Sequence, residues 1–199
     1  MHWIMLALAI LGQAPASGAQ KDNADSYLMG KADSPVRIEI FSDFQCPMCR
    51  TFYLDTVTRL LHEYAAGDKV AVIFRDFPLQ QHPASRIATR YALASKSLGR
   101  DQWAKVIEYL YTCQAEWSYD GKMEPVLSRI LDPAQMQTLK GKANDPAIEQ
   151  AIDHEVELGN ERKVDSTPTI FFTAGGKEQR MVGGLAFPAF KEFIDRSLK

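Results

Sequence analysis

Cys46 and Cys49 stand three positions apart, with Pro47 and Met48 between them. One helical turn separates two residues at that spacing, so their sulfurs can reach disulfide distance with little backbone movement. A short apolar run, Val36 to Phe41, comes just before, and a helical pattern follows. A thiol at the head of a helix faces unpaired N–H groups and the positive end of the dipole. Both stabilise its thiolate, which is the form that attacks disulfides. Pro47 suits the first helical turn, where a missing N–H costs nothing. The pair reads as a redox centre.

Two blander readings compete. As half of a zinc site the pair needs two more ligands. The third cysteine, Cys113, stands alone, and His2, His62, His82 and His154 form no close pair at ligand spacing. As a structural crosslink, so small a loop would restrain the unfolded chain weakly. Neither explains the pair as well as reversible closure does.

The 199 residues are 46% hydrophobic and 24% charged, ordinary for one globular unit or a domain with an insertion. A formal charge of -2 argues against nucleic-acid or anionic-membrane binding, which calls for a basic excess. Three cysteines are too few for a disulfide-stapled scaffold. Residues 1–19 read as a signal peptide: an apolar stretch from Trp3 to Leu11, then small residues with cleavage after Ala16 or Ala19. Its n-region is weak, since His2 is the one basic candidate and no Lys or Arg is present. The apolar stretch is too short to span a bilayer. Export would place the dithiol in an oxidising, periplasmic or other extracytoplasmic compartment.

The elements around the dithiol follow from periodicity. Residues 20–34 are polar and read as a flexible lead-in; Val36 to Phe41 reads as a buried strand. Phe52, Tyr53, Leu60, Leu61 and Tyr64 mark a helical face directed at a sheet, closed at Gly67. Lys69 to Phe74 is a second strand, and the strand–helix–strand order implies a parallel pair. Residues 83–164 are helical in period, broken at Gly99, Gly121, Pro133 and 141–146. Thr169 to Thr173 and Gln179 to Val182 form a hairpin about Gly175 and Gly176, before a last helix carrying Phe190, Phe193, Ile194 and Leu198. The outcome is an α/β chain of the form βαβ, an all-helical insertion of about 80 residues, then ββα.

Three segments carry a resemblance: Phe41-Ser-Asp-Phe-Gln-Cys-Pro-Met-Cys-Arg50, Arg75-Asp-Phe-Pro-Leu79 with His82-Pro83, and Asp165-Ser-Thr-Pro-Thr-Ile-Phe-Phe172. Together with the insertion they resemble the thioredoxin-fold, DsbA-like thiol–disulfide oxidoreductases of the bacterial cell envelope. The resemblance implies a thioredoxin-like domain over 35–82 and 165–199. It implies a cis bond between Thr167 and Pro168 facing Cys46, leaving the Thr167 backbone free to pair with an extended substrate. Cys46 becomes the exposed nucleophile and Cys49 the buried resolving thiol. Pro47 and Met48 then tune the thiolate; relatives that are strong oxidants carry histidine where Met48 stands, so a weaker oxidant is expected.

Relatives also place a buried acid six residues before the nucleophile, where this chain has Ile40. Glu39 is one residue earlier and faces the other side of a regular strand, unless a bulge returns it to the site. Asp43 is a second candidate for proton handling, weighed against a solvated loop charge. Arg50 reads as a surface helix charge, His82 as a packing or capping residue, and Cys113 as a small hydrophobe or a regulatory thiol. No cofactor or metal is expected beyond the Cys46–Cys49 pair. The expected partners are reduced or misoxidised exported proteins and a membrane quinone-linked oxidase of the DsbB or vitamin K epoxide reductase type, with the protein itself a monomer. A reductase, an isomerase, and a metal-handling or chaperone-like binding module remain as alternatives.

Overall fold

The computed structural model describes residues 27–64 and 67–199; the expected signal peptide lies outside them. Among the described residues five strands form one mixed sheet: β1 (Tyr27–Met29), β2 (Val36–Ser42), β3 (Val70–Asp76), β4 (Thr169–Ala174) and β5 (Lys177–Val182), in the order β1-β3-β2-β4-β5. β2 and β3 run parallel, as the intervening helix requires, and the other pairings are antiparallel. β2 and β3 are buried along almost their whole length because helices cover each face of the sheet.

The fold is thioredoxin-like, and the expected helical block appears as α3 (Ser85–Ser95), α4 (Arg100–Thr112), α5 (Gln114–Trp117), α6 (Glu124–Leu127), α7 (Pro133–Ala143) and α8 (Pro146–Glu161). Asp132 and Asp145 cap α7 and α8 ahead of their prolines. One face of the sheet packs Ile38, Ile40, Val72, Phe74 and Phe172 against α4 and the terminal helix α9 (Phe187–Ser197). The other face packs Phe41, Phe77, Val164 and Phe171 near α8. Gly159 of α8 sits so close to the Phe77 ring that a Cβ there would overlap it.

Three differences from the sequence reading have physical causes. The stretch 20–34 was expected to be flexible, yet Tyr27–Met29 pairs with β3 as an edge strand and buries Leu28 and Met29. Two apolar side chains in a polar segment are too short a signal for periodicity to detect. The helix after the dithiol ends at Glu63 rather than Gly67, with Tyr64 as its C-cap. Within it, α1 (Pro47–Phe52) and α2 (Thr58–Glu63) are joined by a π turn, Tyr53–Val57. That extra residue per turn lets Tyr53 meet both Phe74 and Tyr111.

Candidate active site

β2 ends at Ser42, and the chain turns through Asp43, Phe44 and Gln45 into Cys46, which N-caps α1 with extended backbone (φ -72°, ψ 122°) and Pro47 in the first turn. The turn is built on Asp43. Its Oδ1 accepts the backbone N–H of Gln45 at 2.7 Å and of Cys46 at 3.1 Å. Its Oδ2 accepts the Leu79 N–H at 2.7 Å and contacts His82 Nδ1 at 2.9 Å. Asp43 is fully buried, so it is not a solvated loop charge. It is the post on which the dithiol loop is fixed to the segment after β3, and His82 is its partner.

The insertion grips the same loop. Gln114 Nε2 donates to the carbonyls of Phe44 (2.7 Å) and Cys46 (3.1 Å). Gln45 donates to the Ser118 carbonyl at 3.0 Å and accepts the Ala84 N–H at 2.8 Å. Arg50, read as a surface charge, donates through Nε to the Tyr111 carbonyl at 3.0 Å. Tyr111 stacks on Phe44 and shares a 2.7 Å hydrogen bond with the Ser42 hydroxyl. None of Ser42, Gln45, Tyr111 or Gln114 was singled out from sequence.

Both thiols of the pair are free. Cys49 is fully buried and accepts the Asp43 N–H at 3.4 Å. Cys46 is 6% exposed, less open than a freely accessible nucleophile, with Pro47 and Met48 exposed beside it. Its sulfur lies 3.4 Å from the Thr167 carbonyl oxygen. The Thr167–Pro168 bond is cis. Pro168 is buried, and its carbonyl accepts the Gly183 N–H at 2.8 Å. Met48 is 56% exposed and lines a cleft of about 340 Å³ with Phe52, Arg59, Leu185 and Phe187.

The two thiols differ in acidity. The hydrogen bond from the Cys49 thiol lowers Cys46 to about 5, helped by the backbone N–H groups of Cys49 and Met48 and opposed by partial burial. Burial raises Cys49 well above the ordinary thiol value, and the charge on Cys46 adds to that. One sulfur is therefore an anion at neutral pH and its neighbour a proton donor to it. That asymmetry is what thiol–disulfide exchange requires: a ready nucleophile and a second thiol held in reserve.

Glu39 has no part in this. The ladders of β2 with β3 and β4 run without a bulge, so alternation holds Glu39 on the opposite face. There its carboxylate accepts Arg75 Nε at 2.6 Å and pairs with Arg162. Cys113 lies in the core at the end of α4, its thiol raised by burial and by Glu116. Among the described residues no group of three His, Cys, Asp or Glu is placed to hold a metal ion.

A family model described as Thioredoxin matches residues 22–196. Disulfide bond formation protein D of Bacillus subtilis is 25% identical over 181 residues, covering 86% of this chain and 77% of that protein. Among solved structures, alpha-DsbA1 of Wolbachia pipientis superposes with a TM-score of 0.72 at 18% identity, over 85% of this chain and 89% of that one. Oxidised BdbD from Bacillus subtilis gives 0.69 at 20% identity, over 85% and 91%. With a buried cysteine pair at a helix head in this fold, the chain belongs to the thioredoxin family and is a DsbA-like thiol–disulfide oxidoreductase.

Proposed function

We propose that this protein introduces disulfides into exported polypeptides, with Cys46 as nucleophile and Cys49 as resolving thiol. The observation that carries the proposal is the Cys46 thiol lowered to about 5 beside a buried, protonated Cys49. A thiolate so stabilised favours the reduced dithiol, which makes the closed Cys46–Cys49 bond a good oxidant. A substrate thiolate attacks the Cys46 sulfur, the Cys46–Cys49 bond breaks, and a mixed disulfide forms on Cys46. A second substrate thiolate then releases Cys46, the better leaving group because its thiolate is stable. The Thr167 carbonyl beside Cys46 offers a main-chain acceptor to an extended substrate, which asks for no particular sequence. Met48 and Leu185, both exposed, give apolar contact at the neighbouring cleft.

The compartment is extracytoplasmic, and the reduced pair is reclosed by a membrane quinone-linked oxidase of the DsbB or vitamin K epoxide reductase type. The relative's name, disulfide bond formation protein D, supports the oxidising direction over reductase or isomerase action. Equilibration of the dithiol against a glutathione buffer series tests it. A poise well above that of thioredoxin supports the oxidase; a thioredoxin-like or lower poise overturns it in favour of a reductase.

A further inference from the structure

One buried acid on the Cys49 side of the sheet has no role in the steps above. Alternation along β2 directs Ile38, Ile40 and Ser42 to that side, and along β3 it directs Val72, Phe74 and Asp76 there too. The parallel register sets Asp76 directly beside Ser42. The Ser42 hydroxyl acts to lower the Cys49 thiol against its burial, and it shares a 2.7 Å bond with the Tyr111 hydroxyl. The Tyr111 phenol, fully buried, feels the charges of Cys49, Asp43 and Asp76 together. Asp76 is 3% exposed, and its Oδ1 has no hydrogen-bond partner.

A buried carboxylate oxygen without a donor is a poor way to hold a strand end, and a good way to hold a proton. Burial raises the Asp76 carboxyl to about 7. Lys96, in the turn after α3, and the neighbouring Arg75 oppose the rise, while Glu155 of α8 adds to it. Glu39 cannot serve, being tied to two guanidinium groups across the sheet.

We propose that Asp76 exchanges the proton of Cys49 within the buried cluster that it shares with Ser42 and Tyr111. The proposal rests on the reading that Cys49 resolves mixed disulfides formed on Cys46. When a substrate thiolate opens the Cys46–Cys49 bond, Cys49 leaves as a thiolate. The protonated Asp76 supplies its proton and becomes a carboxylate. When a disulfide of the oxidising partner later forms a mixed disulfide with Cys46, the Cys49 thiol gives its proton back to Asp76. The Cys49 thiolate then attacks the Cys46 sulfur, the intramolecular bond closes, and the partner's sulfur departs as a thiolate. Asp76 is a positioning residue for the proton and touches neither reacting sulfur.

Rapid mixing of the reduced protein with Ellman's reagent separates the steps. Attack by Cys46 releases one thionitrobenzoate anion, and attack by Cys49 on the mixed disulfide releases the second. Wild type is expected to show an inflection of the second phase near pH 7. Asp76→Asn is expected to slow the second phase at neutral pH on the order of tenfold or more. It should also lose the inflection and leave the first phase unchanged. A second phase in Asp76→Asn with the wild-type rate and pH profile overturns the assignment. If that variant fails to fold, the redox-difference infrared spectrum of the wild-type protein, carrying carboxyl-labelled aspartate, decides. A protonated aspartate band that changes between the oxidised and reduced states supports the assignment, and its absence overturns it. A missing first phase overturns the dithiol reading and this assignment together, whereas a normal first phase with an Asp76-independent second overturns the assignment alone.

Discussion

The Asp43 carboxylate accepts the Cys46 backbone N–H at 3.1 Å with one oxygen and the Leu79 N–H at 2.7 Å with the other. The nucleophile is thus fixed to the strand-end segment through a single fully buried side chain. Asp43→Ala leaves several buried donors without an acceptor, and unpaired groups of this kind cost roughly 1–3 kcal/mol each. Chemical denaturation is expected to show a loss of about 3 kcal/mol or more, with Asp43→Asn losing less because one oxygen is kept. An Asp43→Ala protein of wild-type stability contradicts the anchoring role.

Glu39 gives the complementary case. Its removal leaves Arg75 buried with one partner fewer, which typically costs about 3–5 kcal/mol. Glu39→Gln is therefore expected to lower the denaturation midpoint while the pH profile of thiol exchange keeps its shape. A changed profile in a folded Glu39→Gln protein would return that residue to the chemistry.

The depressed Cys46 thiol couples stability to pH in the reduced protein. Its folded value of about 5 lies below the ordinary 9.0, so the unfolded chain binds the proton more tightly. The reduced form accordingly gains stability as pH rises from about 5 towards 9, and loses that contribution as pH falls through about 5. The oxidised form has no such thiol. Denaturant titrations of both forms across this range are expected to give a reduced-minus-oxidised difference that climbs with pH; a flat difference contradicts the stabilised thiolate.

Replacing Gly159 tests how α8 docks. A methyl group there meets the Phe77 ring, and overpacking of this sort costs about 1–3 kcal/mol. Gly159→Ala is expected to lower stability by that amount with the Cys46 acidity unchanged, because Phe77 lies in the core cluster on the other side of the sheet from the dithiol. A stabilised Gly159→Ala protein, as helix propensity alone would give, contradicts the packing.

How much of this was legible from sequence depended on distance along the chain. Cys46, Pro47, Met48 and Cys49 are contiguous, and Thr167 and Pro168 sit in a segment whose resemblance is specific. The strands and the insertion carried periodicities long enough to read. The supports of the site did not, because their roles arise from contacts across the fold: Ser42 meets Tyr111 69 residues away, and Gln114 meets Phe44 70 residues away. A glutamine in a helical stretch gives no local sign that it will hold two carbonyls of a remote loop. Asp43 was weighed towards the surface since charged residues mostly lie there, and the four contacts that allow its burial are invisible to pattern. Asp76 lies two residues past the strand expected over Lys69 to Phe74, and the neighbours it meets across the fold are just as invisible to pattern.

The most direct test of the central claim is the pH dependence of Cys46 alkylation in the reduced protein, with the modified residue located by mass spectrometry. Alkylation rate is expected to rise with a midpoint near 5, on Cys46, while Cys49 stays unmodified through neutral pH. A midpoint near the ordinary 9.0, or modification reaching Cys49 first, would contradict the account.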